Sequence, residues 1–67
     1  MNKWYGETVC NYCGCEIEHE LYDADTVDGP WATMCPECFA RYGKGKLGVG
    51  HGQRYVKRPE GFVQVEG

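Results

Sequence analysis

The chain has 67 residues, ten of them Gly, nine aromatic and five Cys, with a formal net charge of −3. Leu, Ile, Val and Phe together number only 11, below the roughly one-fifth that separates folding chains from disordered ones, and a chain this short buries little of its surface. These figures exclude a domain held by aliphatic packing alone and leave a single small domain, 1–67, that needs another source of cohesion.

Residues 1–9 (MNKWYGETV) form an aromatic lead-in, expected to be a strand ending at Val9. They lack the apolar stretch of a secretory signal, and no run of the sequence approaches the ~18 apolar residues of a membrane span. The expected setting is the cytoplasm with no membrane partner, where structural disulfides are rare and five cysteines point instead to a metal. Next comes the compact turn Cys10-Asn11-Tyr12-Cys13-Gly14-Cys15.

A β-hairpin is expected over 16–34, one arm from Ile17 to Thr26 and the other from Trp31 to Met34, turning at Asp28-Gly29-Pro30. The run Cys35–Gly43 has the marks of a short helix. Pro36 suits its first position, Glu37 its first turn, and Gly43 a left-handed close. Phe39 and Tyr42, three apart, share one helix face. Trp31, Phe39 and Tyr42 are expected to pack beside the cysteines. A glycine-rich basic loop, 44–52, follows. A C-terminal hairpin over 53–66 is then expected about Arg58-Pro59-Glu60-Gly61, with Val63 and Val65 on one face.

Cys10-x-x-Cys13 and Cys35-x-x-Cys38 lie 21 residues apart. Two thiolates at i, i+3 grip one side of a tetrahedral ion, and two such pairs close the shell, which is a zinc signature. Gly14 allows amides to approach the first pair, and the helix N-terminus favours Cys35 and Cys38 as thiolates. Knuckle, hairpin and first helical turn, in that order, predict a small α+β, treble-clef-like zinc finger with a zinc core over 10–43. Apparent binding worth about 10–16 kcal/mol would supply the missing stability, and a closed shell of four cysteines makes the ion structural. CNYCG and CPEC also resemble rubredoxin knuckles, but Phe39 stands where that family repeats a glycine, so iron is the lesser alternative. Cys15 has three possible roles: alternative ligand, accessory reactive thiol or small buried hydrophobe. His19 reads as an exposed hairpin histidine.

Charge is unevenly distributed. Residues 1–40 carry −7, residues 41–58 carry +6, and the remaining nine carry −2. Gly43, Gly45 and Gly48 fit G-x-G-x-x-G, but a helix precedes them and none follows, so the dinucleotide fingerprint is rejected; no P-loop sequence is present either. The basic segment offers nucleic-acid contacts through Arg41, Lys44, Lys46, Arg54, Tyr55, Lys57 and Arg58. It could equally serve a protein partner, or simply offset the acidic hairpin. The only two histidines, His19 and His51, fall in an acidic hairpin and a glycine loop and make no acid–base constellation, so catalysis is not expected.

The stretch Gly29-Pro30-Trp31-Ala32-Thr33-Met34-Cys35-Pro36-Glu37-Cys38-Phe39, followed by Gly48–Tyr55 (GVGHGQRY), resembles small CxxC…CxxC proteins of bacteriophage and prophage genomes over roughly residues 10–57. The resemblance implies a zinc-finger-like fold and an accessory phage role in the host cytoplasm. It names no activity, and Cys15 lies outside its pattern. The function expected is therefore a non-catalytic zinc module contacting nucleic acid, with an adaptor or inhibitor of a host protein as the alternative.

Overall fold

A computed structural model describes residues 2–67. Five elements follow one another: β1 (Glu20–Asp25), β2 (Trp31–Met34), α1 (Pro36–Tyr42), β3 (Gly52–Arg58) and β4 (Gly61–Glu66). All strand pairings are antiparallel, and the sheet order is β2-β1-β3-β4. This is a small α+β fold in which α1 carries the chain from one edge strand to the sheet's interior.

The first hairpin forms where turn residues interrupt the alternation. Thr26, fully buried, donates its hydroxyl to the Pro30 carbonyl at 2.8 Å and closes the loop. The β1 arm is shorter than expected, starting at Glu20 rather than Ile17. Ile17 is instead buried in the core ahead of the strand, its N–H donating to the Thr8 carbonyl. The second hairpin turns through Pro59-Glu60, with Arg58 paired to Gly61. Its register steps from Tyr55↔Gln64 to Arg54↔Glu66. Val65 is thereby left without an opposite residue, a β-bulge, and is exposed while Val63 is buried.

The lead-in is not a strand ending at Val9. Lys3 bridges to Val63, and backbone bonds Gln64 N–H to Asn2 O (2.7 Å) and Trp4 N–H to Phe62 O (2.9 Å) lay residues 2–4 along the open edge of β4. At the opposite edge, Asn11 N–H donates to Thr33 O, and Thr33 N–H to Asn11 Oδ1, both at 2.8 Å. Each edge is thus partly paired, which blunts edge-to-edge association.

Leu21 and Met34 are the largest fully buried side chains, and the core continues through Ala24, Tyr55, Phe62 and three cysteines. Aromatic stacking substitutes for aliphatic bulk. Tyr22 stacks on Phe39 at 4.1 Å and Tyr12 on Tyr42 at 4.3 Å, nearly parallel in both pairs. The two helix aromatics therefore reach different partners, one on the sheet and one on the cysteine turn. Trp31, expected in the core, stands about half exposed on the edge strand. Gly43 ends the helix in extended rather than left-handed backbone (φ −74°, ψ 160°), its N–H donating to Phe39 O. A Cβ there would come within 2.6 Å of the Phe39 ring, so Gly43 is needed for close approach.

Gly52 is the tightest point of the sheet. It has φ +146°, pairs with Ala24, and a Cβ would lie 2.6 Å from both Ala24 Cα and the Asp23 carbonyl. Strained backbone and overpacking each cost on the order of 1–3 kcal/mol. Gly52→Ala is therefore expected to lower the thermal midpoint of the protein by more than about 10 °C, measured by calorimetry.

Candidate metal centre

The centre is built from two turns. In the first, Cys10 N–H donates to Cys15 O and Gly14 N–H returns to Cys10 O, both at 2.9 Å. Gly14 takes the left-handed φ of +76° that this knuckle needs. In the second, Cys35 caps α1 in extended backbone (φ −75°, ψ 165°), Pro36 opens the helix, and Phe39 N–H donates to Cys35 O at 2.9 Å. One turn of helix then aims Cys38 back beside Cys35. The Asn11–Thr33 pairing docks the first turn against β2, which runs directly into the second.

The sulfurs of Cys10, Cys13, Cys35 and Cys38 all lie within 4.8 Å of one another. Cys13 and Cys35 are 3.9 Å apart. A tetrahedral ion with sulfur ligands at ~2.3 Å requires sulfurs about 3.8 Å apart, a spacing that Cys13 and Cys35 already have and that the set as a whole approaches. Cys10, Cys35 and Cys38 are buried; Cys13 faces solvent. All five cysteines are free thiols.

Electrostatics divides the thiols. Burial pushes the Cys10 thiol up, but backbone N–H groups of Cys13, Cys35 and Tyr12 aimed at its sulfur outweigh this and bring it down to about 6. Cys13 is lowered by hydrogen bonds from the Cys15 thiol and the Cys15 N–H. Cys38 is raised, first by burial and then by hydrogen bonds shared with the neighbouring sulfurs. Amides of the knuckle and the Cys35 N–H at the helix start thus act together on the Cys10 sulfur. Four sulfurs this close cannot all be ionised without a cation among them, and a metal would remove that conflict.

Cys15 is not a buried hydrophobe. It is exposed, with its sulfur 3.1 Å from that of Cys13, and its pKa is pushed up to about 12, chiefly because its thiol is the hydrogen-bond donor to Cys13. His19 is exposed just before β1 and is not among the clustered donors, although it lines the same surface cleft as Cys35.

The candidate nucleic-acid residues are dispersed in role. Tyr55 is buried against Trp4, ring centroids 5.4 Å apart, and cannot stack on a base. Arg54 bridges Glu20 and Glu66, each at 3.2 Å, across three strands. Lys44 lies 3.7 Å from the buried Asp25, which His51 approaches at the same distance. Arg41 pairs with Glu37 along the helix, and Lys57 stands over the Phe62 ring. Among the described residues, Lys46 and Arg58 of this segment are in neither an ion pair nor a cation–π contact. The loop is tightly turned: Gly48 and Gly52 exchange backbone hydrogen bonds, and Val49 at the tip is fully exposed. Sequence reasoning missed the Asp25–Lys44–His51 cluster, since Asp25 lies 19 and 26 residues from its partners.

No family model, curated protein or solved structure matches the chain. No helix is long and apolar enough to cross a membrane. The geometry of the sulfur cluster is therefore the main guide to chemistry.

Removing a ligand should remove the metal and, with it, the fold. Cys10→Ser and Cys38→Ser are each expected to lose bound metal and collapse the dispersion of amide chemical shifts, whereas Cys15→Ser retains both. Acid should release the metal as well, because protons compete for the thiolates. Metal content against pH, by elemental analysis after desalting, checks this.

Proposed function

We propose that the chain is a non-catalytic, treble-clef-like binding module held together by one structural zinc ion on Cys10, Cys13, Cys35 and Cys38. The observation that carries this reading is the closed set of four converging thiols. Such a shell keeps no open position for water or substrate, and soft sulfur donors in tetrahedral spacing suit zinc. The ion's role is cohesion: it would tie the knuckle to the helix in a chain with few aliphatic side chains. A rubredoxin-type iron is the competing occupant of the same donors. Protein purified aerobically should be colourless and contain stoichiometric zinc, while a red, iron-containing preparation would replace zinc with a redox reading.

The module is proposed to act in the cytoplasm, on the phage setting that the GPW–CPEC resemblance implies, by contacting nucleic acid through the outward cations of residues 41–58. Lys46 and Arg58 support this, being exposed and, among the described residues, free of ion pairs. A host protein is the second reading, favoured by exposed apolar groups at the tip of the first hairpin, Val27 and Trp31. Neutralising Lys46 and Arg58 together should weaken binding to nucleic acid and flatten its salt dependence by about one unit for each phosphate no longer neutralised. Arg54→Gln should instead cost stability, about 1 kcal/mol for an ion-pair network at the surface. Flat titrations against single- and double-stranded DNA and RNA at low salt would discard nucleic acid and leave the protein partner.

A further inference from the structure

The fifth cysteine is left unused by a four-thiol site, yet its sulfur sits in close contact with that of a ligand candidate. Cys15 Sγ lies 3.1 Å from Cys13 Sγ, closer than the 3.9 Å between Cys13 and Cys35. The knuckle makes this so: the Cys10–Cys15 and Gly14–Cys10 backbone bonds, with Gly14 at φ +76°, fold Cys13 and Cys15 toward one another. Accessibility separates the same two from the rest. Cys10, Cys35 and Cys38 are 1%, 9% and 6% exposed, whereas Cys13 and Cys15 both face solvent. The pair that an oxidant can reach is therefore also the pair already in position to bond, needing its sulfurs to close by only about 1 Å to disulfide length.

The geometry points to Cys13 and Cys15 as an oxidation site, a dithiol that a hydroperoxide converts to a disulfide, withdrawing Cys13 from the metal set. The chemistry balances in two steps. The Cys13 sulfur attacks the peroxide's terminal oxygen; the O–O bond breaks, a sulfenic acid forms and an alcohol, or water from hydrogen peroxide, departs. The Cys15 sulfur then attacks the Cys13 sulfur, forming the S–S bond. The hydroxyl leaves with the Cys15 proton as a second water. Two thiols are oxidised, one peroxide is reduced, and a thiol reductant reverses the change.

The consequence follows from the ligand count. Three remaining thiols, all buried, hold an ion less firmly than four, and in a domain stabilised by its metal the loss spreads to the fold. Cys15 would thus make the module's cohesion dependent on redox state, while taking no part in the reduced site. This consequence rests on Cys13 being a metal ligand, as proposed above; the disulfide itself does not.

The test is titration of the zinc-loaded full chain with hydrogen peroxide, with released zinc followed by a chromophoric chelator. Cleavage after Tyr12 and Tyr22 isolates a peptide carrying Cys13 and Cys15 alone, in which a loss of two hydrogens identifies the disulfide. The expected result is stoichiometric zinc release in step with that mass change, both reversed by dithiothreitol and added zinc. Cys15→Ser and Cys15→Ala are expected to keep their zinc at peroxide concentrations that strip the unaltered chain. Equal zinc loss from those variants, or disulfides within Cys10–Cys13 or Cys35–Cys38 instead, would overturn the proposal. So would variants that carry no zinc when reduced, since Cys15 would then be a ligand. A Cys13–Cys15 disulfide forming in a chain that never binds metal would leave the oxidation site standing and remove the zinc reading.

Discussion

The constraint on which the structure depends is the convergence of four sulfurs within 4.8 Å. Two come from a turn before the sheet and two from the start of the helix after β2, so the cluster closes a loop that contains the whole first hairpin. Without a cation that cluster is electrostatically divided, with Cys10 and Cys13 lowered and Cys38 raised. With one, the same donors become mutually compatible, and binding free energy becomes folding free energy. The Asn11–Thr33 hydrogen bonds show how the sheet uses the arrangement: the knuckle that presents the first ligand pair also covers the edge strand leading to the second.

The helix depends on the same convergence. Seven residues cannot persist as an isolated helix, because nucleation costs more than so few hydrogen bonds return. Here α1 is fixed at its N-terminus by the sulfur cluster and along its length by two aromatic stacks, Phe39 on Tyr22 and Tyr42 on Tyr12. The first stack joins the helix to β1, the second to the knuckle. Gly43 then lets the chain leave close over the Phe39 ring, where any side chain would collide. Flat rings thus do what Leu and Ile do in larger cores, and they also fix the helix orientation through ring geometry.

Much of this was legible in the sequence, for identifiable reasons. The CxxC pairs, Pro36 at the helix start and the Asp28–Pro30 and Arg58–Gly61 turns are local signals whose meaning depends on neighbours a few residues away, and they point to the sulfur cluster, the helix and both hairpins. What the sequence could not show depends on distant pairing. Residues 2–4 lie on β4 because Phe62 and Gln64 offer backbone groups along that edge, and nothing in MNKWYGETV announces this. Tyr55 looked like an outward aromatic in a basic run, but its register opposite Leu21 turns it inward. Trp31 looked like core, but it falls opposite Asp25 on an edge strand only four residues long. The approach of Cys15 to Cys13 depends on the knuckle's backbone bonds and on Gly14 at φ +76°, which composition cannot reveal.

The same distinction resolves the charge pattern. Along the sequence, an acidic part of −7 precedes a basic segment of +6, as if two surfaces of opposite sign were presented. The strand order β2-β1-β3-β4 brings β1, from the acidic part, beside β3, from the basic one. Tyr22 opposite Arg54 and Arg54 opposite Glu66 put that guanidinium between two carboxylates, and Lys44 reaches back to Asp25. Part of the apparent polarity is therefore absorbed by pairs between the two segments, those of Arg54 being cross-strand contacts of the kind that fix register. Of the exposed cations in residues 41–58, only Lys46 in the glycine loop and Arg58 at the second hairpin's turn have, among the described residues, neither a carboxylate nor a ring beside them. Four of the six cations of residues 41–58 already face a carboxylate or a ring, so recognition by a partner would depend on local fit more than on the summed charge of the segment.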